Sequence, residues 1–92
     1  MFISVIHRIS DPDAFWAIAA SAAKDIPAGV KLHQTVAGKD RSTAICLWEA
    51  QSVDGVRNLL EPLVGRVCEN EYIAIDASSS MGLPTASGAY GA

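Results

Sequence analysis

The chain has 92 residues, of which 50% are hydrophobic, and its formal net charge is −3. This length suits one small domain, and the apolar content is too high for a disordered chain. The charges are scattered and no long apolar run occurs, which excludes the basic stripe of a nucleic-acid-binding protein and a membrane-spanning helix.

The first half of the chain predicts a strand, a helix and a hairpin. Phe2–Ile9 is rich in β-branched residues, as strands are. Ser10–Pro12 supplies a capping side chain and a first-turn proline, which begin a helix that continues through Asp25. The segments Lys31–Ala37 and Ser42–Ala50 then predict two strands joined by a polar turn.

The second half predicts one helix, one strand and a tail. Ser52 is a typical N-cap for a helix over Val53–Glu61, and Glu71–Asp76 alternates like a final strand. Residues 77–92 are poor in charge and rich in serine, glycine and alanine, which is typical of a flexible tail. The folded domain is therefore expected to span residues 1–76.

This order of elements, βαββαβ, predicts an α+β fold of the ferredoxin-like type. Right-handed crossovers and a hairpin between neighbouring strands favour a four-stranded antiparallel sheet in the order 4-1-3-2, with both helices on one face. Two helices cover only one face of such a sheet. We therefore expect a homodimer in which two open sheet faces enclose a cavity, as in a dimeric α/β barrel.

Strand alternation predicts which side chains share a face of the sheet. If Ala37 pairs with Ser42, His33 lies directly opposite Cys46, and Trp48 follows on the same face. The register of the first strand stays undecided, because it is apolar on both faces. The residues expected to face the helices are Leu32, Ile45, Leu47, Ile73 and Ile75. The residues expected on the open face include His33, Cys46, Trp48 and Tyr72.

The pairing of His33 with Cys46 suggests a metal site. Directly opposed residues have Cβ atoms roughly 4.5–5.5 Å apart, close enough to share an ion. Imidazole and thiolate suit zinc, nickel or copper, and His7 is a third ligand if it faces the same cavity. The alternative is structural: His33 bonds a neighbour and Cys46 packs as a small apolar side chain.

Three aromatic or imidazole side chains are candidates for binding a small ligand: His7, Trp48 and Tyr72. His7 lies near the end of the first strand and, if the protein is an enzyme, is its candidate acid or base. Trp48 is either a wall of the ligand pocket or an anchor of the dimer interface.

The two cysteines, Cys46 and Cys68, lie outside any CxxC arrangement. Two are too few for a secreted disulfide scaffold of this size, so we expect reduced thiols in a cytoplasmic protein. Charged residues interrupt the N-terminal segment early, unlike a signal peptide. No membrane or nucleic-acid partner is expected.

The segments Phe2–Ile9 and Ala44–Val56, the latter reading AICLWEAQSVDGV, resemble the dimeric α/β-barrel superfamily over residues 1 to 76. In its haem-degrading and quinone-forming monooxygenases, a polar residue at the place of His7 and a tryptophan at the place of Trp48 line the cavity. The haem-degrading branch also has a histidine on the second helix. This chain has none there, so the resemblance implies no haem degradation.

The stretch from His33 through Val67 resembles a family of small bacterial ferredoxin-like proteins of unknown function, one member of which binds nickel. These proteins carry a histidine or polar residue on the second strand and a cysteine on the third. The resemblance implies a homodimeric binding protein that takes a divalent transition metal such as nickel, or a small ligand. The alternative is a cofactor-independent monooxygenase or isomerase of the dimeric α/β-barrel type.

Overall fold

The computed structural model describes residues 1–84, and its elements follow the predicted order. The strands are β1 (Phe2–Ile9), β2 (Lys31–Ala37), β3 (Thr43–Glu49) and β4 (Cys68–Ala74), and the helices are α1 (Pro12–Ala22) and α2 (Val53–Val64). The sheet is antiparallel in the order β2-β3-β1-β4. The α+β ferredoxin-like fold is therefore confirmed. No helix within residues 1–84 is long and apolar enough to cross a membrane.

Both helices begin at capping side chains. The carboxylate of Asp11 accepts a hydrogen bond from the Ala14 N–H at 3.2 Å, and the Ser52 hydroxyl accepts one from the Gly55 N–H at 3.1 Å. These bonds satisfy amide groups that the first turn of a helix leaves without partners. Helix α2 continues through Pro62 to Val64 and so extends beyond the predicted end at Glu61. Its last turn is closed by a hydrogen bond from the Gly65 N–H to the Glu61 carbonyl.

The end of the folded domain also differs in detail from the prediction. Strand β4 begins at Cys68 rather than Glu71, because its polar first residues pair with the end of β1. Ala77–Ser79 forms a short 3₁₀ helix in which the Asp76 carboxylate accepts the Ser78 N–H. The prediction of a flexible tail over residues 77–92 falls partly on residues 85–92, which lie outside the described residues.

The hairpin between β2 and β3 has a different register from the predicted one. Its turn occupies residues 38–42, with Arg41 in the left-handed region at a φ of 66°. Ala37 consequently pairs with Ala44 rather than with Ser42. The longer turn moves every residue of β3 two places along its partner strand, so the predicted cross-strand neighbours are separated.

A β-bulge between Leu32 and Gln34 shifts the register again and removes His33 from the ladder. Thr35 lies opposite Cys46 instead. The prediction that His33 stands opposite Cys46 is therefore wrong. A bulge adds one residue to a strand and reverses the alternation beyond it, and no residue in KLHQTVA signals one.

The prediction of which residues face the helices is wrong for β3 and β4. On the central strand β1, Ile3 and Val5 are completely buried beneath the helices. They pair with Trp48 and Cys46, so these two also face the helices, while Ile45 is 44% exposed on the open face. The residues with reversed faces are Cys46, Trp48 and Tyr72, which face the helices, and Ile45, Leu47 and Ile73, which face away.

Candidate functional site

A cavity of about 770 Å³ lies between the sheet and the two helices of a single chain. Its walls are mostly apolar side chains of α1 and α2, and its floor includes His7, Cys46 and Trp48. A cavity between two facing sheets needs a second chain and stays a prediction. The cavity within one chain lies on the opposite face of the sheet, towards which His7, Cys46 and Trp48 point.

His7 is the one polar residue that is buried as a whole among the described residues, with 1% of its surface exposed. Its Nδ1 lies 2.5 Å from the Asn70 Oδ1, and its Nε2 lies 3.3 Å from the Cys46 Sγ. The imidazole also packs against the Phe15 ring of α1, with centroids 5.0 Å apart. Both ring nitrogens therefore have partners, as a buried imidazole requires.

The partners of Asn70 determine which nitrogen of His7 carries the proton. The Asn70 Nδ2 donates to the Glu61 carboxylate at 2.8 Å, so the amide oxygen faces His7. An amide oxygen only accepts, so His7 Nδ1–H is the donor. In the neutral ring Nε2 then carries the lone pair, and the Cys46 thiol donates its proton to it.

Burial keeps this imidazole and this thiol neutral. Desolvation lowers the pKa of His7, against a smaller opposing effect of the Asn70 hydrogen bond and the Glu61 charge. Desolvation raises the pKa of Cys46, and the nearby Thr35 hydroxyl opposes that rise. At neutral pH the site is a thiol that faces a basic nitrogen in an apolar surrounding.

Glu61 joins this site to solvent. Its carboxylate accepts hydrogen bonds from the Tyr72 hydroxyl and from Asn70, and these two bonds lower its pKa. Desolvation and Glu61 raise the pKa of Tyr72, whose ring lies 4.9 Å beneath the guanidinium carbon of Arg57. Tyr72 lies outside the cavity lining, so it supports the network rather than touching a ligand there.

Cys68 approaches the same histidine from the other side but has a different environment. Its Sγ lies 3.9 Å from His7 Nδ1, the nitrogen that carries the proton. Its thiol lies within hydrogen-bond distance of the Val64 carbonyl, at 3.3 Å, and of the Asn70 Oδ1, at 3.1 Å. Burial and the Glu61 charge raise the pKa of Cys68 to about 11. Cys68 thus has no base to accept its proton.

Trp48 contributes an unsatisfied donor to the site. The residue is 5% exposed and lines the cavity, and its indole Nε1 has no hydrogen-bond partner within residues 1–84. The other tryptophan, Trp16, also lines the cavity, but its indole N–H donates to the Arg41 carbonyl at 3.4 Å. Trp48 therefore lines a cavity beneath the helices rather than on the open face where it is expected, and its role in ligand binding stays a prediction.

The predicted metal ligands are not brought together. The His33 Nε2 lies 2.8 Å from a Glu49 carboxylate oxygen, and the His33 ring contacts Phe2, on the opposite face of the sheet from Cys46. His7 meets Cys46 and Cys68 through different ring nitrogens, so these three cannot share an ion. Within residues 1–84 no three His, Cys, Asp or Glu side chains form a group that could hold a metal.

Two polar residues of the site, Asn70 and Glu61, were not singled out from the sequence. Asn70 precedes the predicted start of the last strand at Glu71, and only the observed pairing with His7 places its amide in the site. Glu61 is the last residue of the second helix in the prediction.

No protein-family model, curated protein or solved structure matches the chain.

Proposed function

We propose that this protein binds a small, mostly apolar organic ligand in the cavity between its sheet and its helices. The observation that carries the proposal is the mostly apolar cavity of about 770 Å³ that Trp48 lines together with His7 and Cys46. The buried indole N–H of Trp48 has no hydrogen-bond partner within residues 1–84. A buried donor without an acceptor costs about 1–3 kcal/mol. A ligand oxygen that accepts this N–H would recover that free energy.

The shape and chemistry of the walls favour an aromatic or aliphatic ligand with one or two oxygen atoms. Ligand cavities of roughly 300–1,000 Å³ with few polar groups are typical of small-molecule sites. The floor offers one indole donor and the neutral pair of His7 and Cys46. The other polar residues of the lining are Ser21, Asp25, Thr35 and Asn58. Asp25 is the one charged residue in this lining, so a multiply charged anion would find no opposite charge there.

Calorimetric titration with naphthol, compared with naphthalene, tests the proposal. Naphthol is expected to bind about tenfold more tightly, because its oxygen can pair with the buried donor. The variant Ala19→Phe fills the cavity and should abolish binding. Ala17→Phe, on the exposed side of the same helix, is its matched control and should bind normally. Equal binding by both variants would place the ligand elsewhere.

A second candidate is a cofactor-independent monooxygenase or isomerase, in which His7 removes a proton from the ligand. The observation in its favour is the tautomer of His7, whose Nε2 carries the lone pair and would have to exchange the Cys46 thiol for the ligand as its proton donor. Oxygen uptake with anthrone, which loses a proton before it reacts with dioxygen, is the test. Activity that survives in His7→Phe would rule out this role.

We further propose that the protein is a cytoplasmic homodimer. Ile45, Ile73 and Val36 remain exposed on the open face of the sheet, and a second copy would cover them. Both cysteines within the described residues are free thiols, in keeping with a reducing compartment.

A further inference from the structure

Cys46, His7 and Asn70 form a continuous chain of hydrogen bonds at the floor of the cavity. The thiol lies 3.3 Å from one ring nitrogen of His7, and the amide oxygen lies 2.5 Å from the other. Cysteine and serine hydrolases of unrelated folds use the same order of groups: a nucleophile, a base that accepts its proton, and a residue that orients the base. The chain here is completed by Glu61, which holds the amide of Asn70 in place.

We propose that Cys46 is a nucleophile that accepts the acyl group of an ester or thioester whose apolar acyl chain lies in the cavity. His7 is its general base, and Asn70 is a positioning residue that holds the Nδ1–H tautomer. This inference rests on the proposed function, because the cavity must first bind the acyl chain.

The reaction balances with water as the only co-reactant. The Cys46 Sγ attacks the carbonyl carbon while its proton passes to His7 Nε2. The bond to the leaving oxygen or sulfur then breaks, and His7 returns the proton to the leaving group. Water hydrolyses the resulting thioester, giving a proton to His7 as it attacks, and the departing Cys46 sulfur takes that proton back.

Two neighbours suit this chemistry. Trp48 lies two residues from Cys46 on the same strand face, and its indole N–H lacks a partner among the described residues. An N–H donor beside the nucleophile is what a developing oxyanion needs. Thr35 lies opposite Cys46, with its hydroxyl 3.5 Å from the sulfur, where it can donate to a developing thiolate.

The neutral resting state of Cys46 is compatible with this role. Serine nucleophiles are also neutral at rest and lose their proton to histidine only as they attack. A buried thiol of this kind reacts with a substrate that fills the cavity and orients its carbonyl.

Cys68 supplies an internal control. It is buried, as Cys46 is, and it approaches the same imidazole, but the nearest nitrogen already carries a proton. Cys68 also lies outside the lining of the cavity. A difference in acylation between the two thiols therefore separates a cysteine that has both an accepting base and access to the cavity from one that has neither.

The experiment uses p-nitrophenyl hexanoate with the full chain. Release of p-nitrophenolate should show a stoichiometric burst, and peptide mass spectrometry should find the hexanoyl group on Cys46. Cys68→Ala should leave both unchanged, whereas Cys46→Ala and Cys46→Ser should remove the burst. Naphthol binding by the Cys46 variants establishes that they are folded.

The role of Asn70 has a separate readout. Asn70→Ala should slow acylation by about 10²-fold, the size of a typical general-base contribution, while leaving the naphthol affinity unchanged. Asn70→Asp alone would place a carboxylate against that of Glu61. Asn70→Asp combined with Glu61→Gln keeps an oxygen towards Nδ1 and a donor beside it, and should retain most of the rate.

Three outcomes would overturn the inference: a burst that persists in Cys46→Ala, a hexanoyl group found on Cys68 or on lysines instead, or no adduct in a protein that binds naphthol. The last result would leave the proposed function intact. Failure of naphthol to bind would count against the proposed function itself.

Discussion

At the scale of single residues, the burial of His7 has the largest consequence for stability. The imidazole is almost completely enclosed, and desolvation lowers its pKa from the ordinary value of 6.5. In the unfolded chain the same side chain is solvated and titrates normally. A proton therefore binds more readily to the unfolded state than to the folded state, and acid must weaken the fold.

The free energy of unfolding is accordingly expected to decrease as the pH falls below 6.5, the pKa of His7 in the unfolded chain. The contribution of His7 to this decrease ends once the pH is below the lowered pKa of His7 in the folded protein. Urea unfolding at about pH 7.5 and about pH 5.5 measures this decrease. His7→Gln removes the group and should show a smaller decrease than the natural chain. Equal decreases in both proteins would mean that His7 binds protons alike when folded and unfolded.

At the scale of elements, the sequence predicts most of the fold but not the orientation of its strands. The order of elements and the strand order follow from β-branched runs, helix caps and chain connectivity, and all are observed. The faces of β3 do not follow, because both alternating sets of its side chains contain apolar residues and only the two ends of the strand, Thr43 and Glu49, are polar. Only pairing with β1, where Ser4 and Arg8 mark the outer face, decides between them.

The candidate site is predictable only in part for the same reason. His7 and Trp48 are unusual residues in apolar strands and attract notice by type. His33 and Cys46 are equally unusual, but their relation depends on a turn length and a bulge that the sequence does not announce. Asn70 becomes important only through a neighbour 63 positions away along the chain.

Two glycines near the ends of α2 are expected to respond in opposite ways to an alanine substitution. A Cβ at Gly55 would have its nearest neighbour at 3.6 Å, so Gly55→Ala should raise the free energy of unfolding by about 0.5–1 kcal/mol. A Cβ at Gly65 would lie 2.6 Å from the Glu61 carbonyl oxygen, so Gly65→Ala should lower it by about 1–3 kcal/mol.

Urea unfolding of the two variants, which carry the same chemical change, makes the comparison. If Gly65→Ala were as stable as Gly55→Ala, the backbone at the end of α2 would have to relax freely. Because Glu61 lies in that turn, the Gly65 variant should also disturb the hydrogen bonds that Glu61 makes to Asn70 and Tyr72.

At the scale of the whole molecule, the two faces of the sheet have different roles. The face beneath the helices contains the cavity and His7, while the open face exposes Ile45 and Ile73, at 44% and 37% of their surfaces. These two side chains share a face. Ile45 and Leu47 are two residues apart on β3, and Ser4 of β1 pairs with Leu47 on one side and with Ile73 of β4 on the other. A site on one face and an apolar surface on the other need not depend on each other.

We therefore expect self-association and ligand binding to be separable by mutation. Ile45→Lys places a charge on the open face and should convert a dimer into a monomer in sedimentation velocity, because a buried unpaired charge is costly. Ala17→Lys, on the exposed side of α1, is the control and should remain dimeric.

The monomeric Ile45→Lys protein should still bind naphthol, since all residues that line the cavity come from one chain. If Ile45→Lys lost both dimerisation and naphthol binding, the second copy would be needed to complete the site, as an enclosure between two sheets would require. A natural chain that already sediments as a monomer at micromolar concentration would refute the homodimer, and the exposed isoleucines would then need another explanation.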